Sequence, residues 1–321
     1  MKVLVIGAAG MIGRKLVERL AADKAVNGVA ITSIHAFDMV EPDFSGLASD
    51  ISIECSHGDI SQAETAPELV RSKPDLIFHL AAIVSGEAEV EFDKGYAINM
   101  DGVRYLLEAV REAGHCPRLV FASSIAVYGA PFDERIADDF HLTPRTSYGT
   151  QKAIGELLLA DYTRKGFVDG IGLRLPTIVV RPGKPNLAAS GFFSNIIREP
   201  LAGERAVLPV SRDVKHWAAS PRAAVGFCLH AASIDGEFVG PNRSLTMPGV
   251  RVTVGAMIDA LEEVAGPETV ALIDEVPDEA IISIVDNWPR SFEANRAVDL
   301  GFQVEKNFTE IIRVHQEDEL S

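Results

Sequence analysis

Positive charge is scarce in this sequence: 30 Lys and Arg stand against 46 Asp and Glu, a formal net charge of −16 at pH 7. Nucleic acids and anionic membrane surfaces are bound through concentrated Lys and Arg, so neither is an expected partner. Cysteine is scarcer still. Cys55, Cys116 and Cys228 are odd in number, far apart and outside any metal-ligating spacing. They read as inert small hydrophobes in a reduced, cytoplasmic setting, with no disulfide framework and no metal centre. There is no run of about twenty apolar residues to span a membrane, and no basic region ahead of an apolar stretch at the start. Internal repeats and low-complexity segments are absent too. What the chain does have is 47% hydrophobic composition over 321 residues, enough for two lobes or one large α/β domain.

The organising stretch is the first thirteen residues. Lys2 to Ile6 is a short apolar run that reads as a buried strand, and it enters Gly7-Ala8-Ala9-Gly10-Met11-Ile12-Gly13. Leu16, Val17 and Leu20 then recur at helical spacing, so the glycines lie between a strand and a helix N-terminus. Unpaired N–H groups and the positive end of the helix dipole suit that turn to a pyrophosphate, and glycine leaves room for it.

Further strands follow in order. Residues 31–37 are β-branched and aromatic and end at Asp38, placed to hydrogen-bond the adenosine ribose and to repel a 2′-phosphate. The expected cofactor is therefore NAD. A third strand, 51–55, leads to Asp59 and Ile60, where the acid either accepts from the adenine amino group or caps the next turn. The fourth, 75–82, ends in the small residues Ala81 and Ala82, and its His79 reads as a core residue. Residues 96–114 are helical in pattern, with Asn99 near the start as a cap or a polar anchor on the cofactor side. The fifth strand, from 118, runs into Ser123 and Ser124.

Chemistry appears at Tyr148 and Lys152, four apart and so on one helix face. A phenol titrating near about 10 is a poor base at neutral pH unless a nearby cation stabilises its phenolate. Lys152 supplies one, and Ser124 can hold the substrate oxygen in line for proton transfer.

GAAGMIG, HLAA, SSIAVYG and YGTQK together resemble the extended short-chain dehydrogenase/reductase family, which includes nucleotide-sugar epimerases and dehydratases. The resemblance implies a Rossmann-type doubly wound parallel sheet with a smaller C-terminal α/β substrate lobe. Its catalytic set is Ser124, Tyr148 and Lys152, with Lys152 also on the nicotinamide ribose. The cofactor set becomes Gly7, Gly10, Met11, Ile12, Gly13, Asp38, Asp59, Ile60, Leu80, Ala81, Ala82, Asn99, Ser123, Tyr148, Lys152, Leu175 and Thr177. A homodimer through a helix pair including the Tyr148 helix is also implied. The NAD-binding domain is expected over 1–178, rejoined by about 213–247, and the substrate lobe mainly over 179–321.

Beyond the sixth strand, 171–180, the basic crossover Arg181-Pro182-Gly183-Lys184-Pro185-Asn186 precedes a helical array carrying Phe192, Phe193, Ile196 and Ile197. Two more helices are expected over 225–232 and 255–264, and 316–321 reads as a frayed acidic tail. Where nucleotide-sugar epimerases read Arg-Asp-aromatic-x-His-Val-Asp-Asp, this chain keeps Arg212, Asp213 and His216 but has Ala218 and Ala219 in place of the acids. LRLPTIVVRPGKPN, ASGFFSNIIREPLAGE and SRDVKHWAASPRAA resemble instead the branch that oxidises four-carbon sugar acids beside the carboxylate. The substrate contacts expected are Ser85, Ser124, Tyr148, Asn186, Ser190 and Arg222. Lys184, Arg174, Arg181 and Arg222 are the candidates for the carboxylate, since an Arg fork suits it. Two alternatives stand beside this: an epimerase or dehydratase with tightly held NAD, and a catalytically silent NAD-binding regulator.

Overall fold

A computed structural model of the chain describes residues 1–131, 134–183 and 190–320. Seven parallel strands form the central sheet, in the spatial order Ser52–His57, Ser33–Asp38, Lys2–Ile6, Leu76–His79, Arg118–Ser124, Asp169–Leu175 and Ser244–Thr246. Strand order reverses between Lys2–Ile6 and Leu76–His79, and open α/β sheets bind ligands at such a switch point.

Side-chain alternation explains why the first strand reads as a continuous apolar run. Val3 and Val5 enter a core on one face, beneath the Met11–Asp23 and Pro221–Ser233 helices. Leu4 and Ile6 enter a second core on the other, beneath Gly102–Ala113 and Ser147–Arg164. A parallel sheet covered on both faces needs this pattern, and each fully buried aliphatic side chain contributes about 1.5–3 kcal/mol. A third core lies outside the sheet. It joins Phe193, Ile196 and Ile197 of the Gly191–Leu201 helix, Met257, Ile258 and Leu261 of Val254–Ala265, and Ile311 and Ile312 of Phe308–Glu319.

Three local expectations are corrected. The sixth strand divides: Asp169–Leu175 stays in the sheet, while Thr177–Ile178 pairs with Lys215–Ala219 in a separate three-stranded sheet. Pro176, which has no N–H to continue the ladder, stands at the break. The acidic tail is helical to Glu319, held by Lys15 on Glu319 and by Arg222 on Glu317 and Asp318. Cys116 is exposed on a turn of positive φ, whereas Cys228 is buried. Among the described residues no helix is long and apolar enough to cross a membrane.

Candidate active site

Backbone geometry builds the cofactor end of the cleft. Gly7 has φ +96°, and a Cβ there would lie 2.6 Å from the Ala81 nitrogen. A Cβ on Gly13 would lie 2.0 Å from the Gly7 oxygen. Gly10 is the N-cap of the first helix and offers no side-chain cap, so the helix N–H groups remain for a ligand. Gly7 and Gly13 thus let the turn pack this closely on the neighbouring strand exit and on the helix, and with Gly10 they line the cleft where the helix begins, which fits a dinucleotide pyrophosphate. Met11, Ile12, Leu80 and Ala82 line the same cleft, and the Leu80 and Ala81 nitrogens both bond the Ile6 carbonyl.

Asp38 ends its strand with one carboxylate oxygen accepting from the Ala9 nitrogen at 2.9 Å and the other from Met39. It thus lies against the glycine turn. Asp59 instead bonds the Ser61 nitrogen and Gln62, within its own turn, and Ile60 packs against Gly102. Asn99, 1% exposed, sits in a π-helical turn at Ala97–Asp101. Its side chain accepts from Ile83 N at 3.0 Å, donates to Ile83 O at 3.2 Å and donates to Gln151 at 2.8 Å. It therefore anchors the loop that carries Ser85 to the cleft wall. Ser123 turns its hydroxyl away, onto Glu156 at 2.5 Å.

Ser124, Tyr148 and Lys152 come together on this cleft, from the end of the fifth strand and the first turns of Ser147–Arg164. Thr146 caps that helix by accepting from Gly149 N at 3.0 Å. Lys152 is buried; its Nζ donates to the Ala122 carbonyl at 2.8 Å and lies 5.7 Å from the Tyr148 ring centroid. Burial brings its pKa down to about 8, against the pull of Glu156 one turn on. Burial pushes the Tyr148 phenol up, while a hydrogen bond from Ser124 and the charge of Arg181 draw it back. Burial prevails, so the phenol stays above its ordinary value, and Arg181 is the cation that opposes it. His79, read from the sequence as a core residue, is buried in the sheet edge-on to Phe121, and burial and Lys152 bring its pKa down to about 3.

At the other end the cleft is walled by side chains from scattered segments: Arg145, Arg181, Ser190, Asn195, Arg198, His216, Ser283, Ile284, Asn287, Trp288 and Pro289. Three arginines face it against one acid, Glu89. His216 stacks on Phe193 at 4.2 Å and bonds the Thr177 hydroxyl at 2.5 Å, and burial and Arg181 bring its pKa down to about 3. Trp288 closes the stack, 5.7 Å from His216. Leu175 and Thr177 line the wall between the two ends.

One expected substrate contact, Arg222, and one carboxylate candidate, Arg174, are corrected. Arg222 points out of the cleft and pairs with Glu317 and Asp318 of the last helix. Arg174 is buried beneath the site, bidentate on Glu156 and bonded to Tyr128. Lys184 and Asn186 lie outside the described residues. Arg145, Arg198, Asn195 and Trp288 line the cleft without having been expected there; Asn195 and Arg198 lie within the ASGFFSNIIREPLAGE stretch, while Arg145 and Trp288 lie in segments with no quoted motif.

The profile of the NAD dependent epimerase/dehydratase family matches residues 3–217. The chain is 45% identical over 322 residues to a D-erythronate dehydrogenase of Cupriavidus necator, covering 99% of this chain and 98% of that protein. A D-erythronate dehydrogenase of Haemophilus influenzae is 41% identical over 313 residues, 98% of each. A solved structure described as a nucleoside-diphosphate-sugar epimerase from Agrobacterium tumefaciens superposes with TM-score 0.97 at 56% identity, covering 100% of this chain and 94% of that one.

Proposed function

This chain belongs to the NAD dependent epimerase/dehydratase family and is an NAD-dependent oxidoreductase, and from that premise we propose that it oxidises the 2-hydroxyl of a four-carbon sugar acid, D-erythronate, to 2-dehydro-D-erythronate. The observation that carries this reading is a complete Ser124, Tyr148 and Lys152 set on a cleft whose substrate end is cationic in a strongly acidic protein. Full-length relatives named for that activity support it.

NAD, which the glycine turn and Asp38 would hold, would supply the hydride acceptor for carbon 2. Tyr148, as phenolate, takes the hydroxyl proton, so the C–H electron pair and the O–H proton both leave as the carbonyl forms. Ser124 holds the reacting oxygen beside Tyr148. Lys152 and Arg181 stabilise the phenolate by their charge. Asp38 at the strand end supports NAD over its 2′-phosphate relative. We assign the cofactor domain to 1–178 with a return at about 213–247, on the ground that Ser244–Thr246 completes the sheet. The rest forms the substrate lobe. A cytoplasmic homodimer completes the reading. It is supported by Leu157, 66% exposed on the Ser147–Arg164 helix beside Gly102–Ala113.

The description of the Agrobacterium structure favours a second reading, epimerisation of a nucleotide sugar with retained NAD. Ala218 and Ala219, fully buried in the Lys215–Ala219 strand where epimerases carry acids, weigh against it. The intact Ser124, Tyr148 and Lys152 weigh against a silent regulator. Near-ultraviolet absorbance of the protein with NAD and D-erythronate, L-threonate or nucleotide sugars decides. NADH formation with D-erythronate, lowered roughly a hundredfold or more in Tyr148→Phe, is the expected result. Conversion of a nucleotide sugar without net NADH overturns it.

A further inference from the structure

Arg118, Arg174, Arg198 and Arg243 are all largely buried, and each reaches a carboxylate: Asp169 for Arg118 and Arg243, Glu156 for Arg174, Glu199 for Arg198. Arg181 differs. It is mostly buried too, yet among the described residues its guanidinium meets only neutral oxygens. Nε donates to the Ile178 carbonyl at 2.9 Å and one terminal nitrogen to the Ser190 hydroxyl at 3.0 Å. A guanidinium taken out of water without an anion is unfavourable, and burial accordingly draws its pKa down. The charged and titratable groups facing it are Tyr148, Arg198 and His216, none of them an acid at neutral pH. Among the described residues, no carboxylate reaches the Arg181 guanidinium.

The other two cleft arginines are worse placed to receive one. Arg198 has both terminal nitrogens engaged, on the Arg181 carbonyl and on Asn195 and Glu199. Arg145 is exposed at the rim. Arg181 alone is both held by its own bonds and next to Tyr148 in the cleft. Resting on the reading of the substrate as a 2-hydroxy acid, we propose that Arg181 is the seat of the substrate carboxylate, aligned by Ile178 and Ser190 so that the adjacent hydroxyl lies at Tyr148. The carboxylate is bonded to the very carbon that bears the reacting hydroxyl, so one fork positions both groups. Ser190 is then a positioning residue acting through Arg181. His216, neutral, adds shape and no charge. Trp288 and the Ser283–Pro289 segment bound the space beyond, which suits a short acid.

The test is equilibrium binding of oxamate and its neutral counterpart oxamide to the NADH complex, followed by NADH fluorescence. NADH affinity of each variant serves as the folding control. Wild type is expected to prefer oxamate. Arg181→Gln should weaken oxamate roughly a hundredfold and leave oxamide unchanged, because a hydrogen bond to a charged group is lost. Arg181→Lys, which keeps the charge but loses the fork, should fall between, as should Ser190→Ala. These two carry the test if Arg181→Gln fails to hold NADH. Oxamate bound equally by wild type and the variants, or no preference for oxamate over oxamide in wild type, overturns the seat. D-erythronate turnover is measured alongside. An oxamate preference that depends on Arg181, without sugar-acid oxidation, would keep the seat and sink the sugar-acid reading; oxidation of D-erythronate unchanged in Arg181→Gln would do the reverse.

Discussion

The two ends of the cleft are made of different material. At the proposed cofactor end the wall is mainly backbone: Gly7, Gly10 and Gly13 line it, the first helix begins there without a side-chain cap, and the small residue Ala82 follows the neighbouring strand. At the substrate end, side chains from segments far apart in sequence meet: Arg145, Arg181, Arg198, His216 and Trp288. Backbone binding constrains sequence at fixed local spacing. Side-chain binding constrains only what the tertiary fold brings together, so it leaves no local pattern. The first end is therefore rigidly specified and shared by many enzymes, and the second is where one substrate is told from another.

The sharpest way to break that contrast is to put a side chain into the backbone end. Gly13→Ala forces a Cβ to 2.0 Å from the Gly7 oxygen, a backbone atom that moves only if the whole turn moves. The expected loss is roughly 3 kcal/mol, felt as a hundredfold or greater weakening of NAD in titration calorimetry, as lower thermal stability, or as both. An Ala variant with wild-type NAD affinity and melting temperature would show that the turn is more pliable than its geometry implies.

The same contrast governs what was legible in the sequence. The glycine turn and the Tyr148 and Lys152 pair sit at spacings set by one turn or one helix, and both line the cleft, while Asp38 at its strand end bonds the turn at Ala9. Arg222 was misjudged because it follows the His216 motif in sequence. Helix geometry carries it away, to pair with Glu317 and Asp318. Arg174 was misjudged for the opposite reason: as a strand residue facing inward it needed a partner, and Glu156 lies across the core from it. Neither partner is visible without the fold. Ser244–Thr246 went unread as a strand because three residues are too few for a periodicity. The acidic tail looked solvated only because Lys15 and Arg222, which hold it, are distant in sequence.

Lys152 sharpens the comparison, because it belongs to both ends and its burial opposes stability. Its ordinary pKa of 10.5 falls to about 8 in the fold. Between these values the unfolded chain binds more protons than the folded one, so stability rises with pH across that window. Below about pH 8 the penalty is fully present. Lys152→Met should therefore be more stable than wild type at pH 7, by roughly 3 kcal/mol less the loss of the Ala122 hydrogen bond. The gain should fade as pH approaches 10. Activity should meanwhile drop roughly a hundredfold, with the pH–rate profile displaced upward as the phenolate loses its cation. Urea denaturation at pH 7 and pH 10, with a pH–rate profile, checks both halves. A variant less stable than wild type at pH 7, or one with an unchanged profile, would remove Lys152 from this role.

The smallest effect is expected at Arg222, and it is informative because it is small. Its guanidinium is nearly half exposed, and its bonds to Glu317 and Asp318 link the start of the Pro221–Ser233 helix to the last helix. Exposed pairs of this kind contribute about 0–1 kcal/mol and less at high salt. Arg222→Gln should leave kcat/KM for D-erythronate within about twofold of wild type. The melting temperature should fall by a few degrees at most, and the gap should narrow as salt is added. A loss of kcat/KM of roughly a hundredfold would mean that the last helix moves aside in the working enzyme and that Arg222 reaches the substrate after all. The division between a backbone-built end and a side-chain-built end would then extend to a segment that this structure holds away from the cleft.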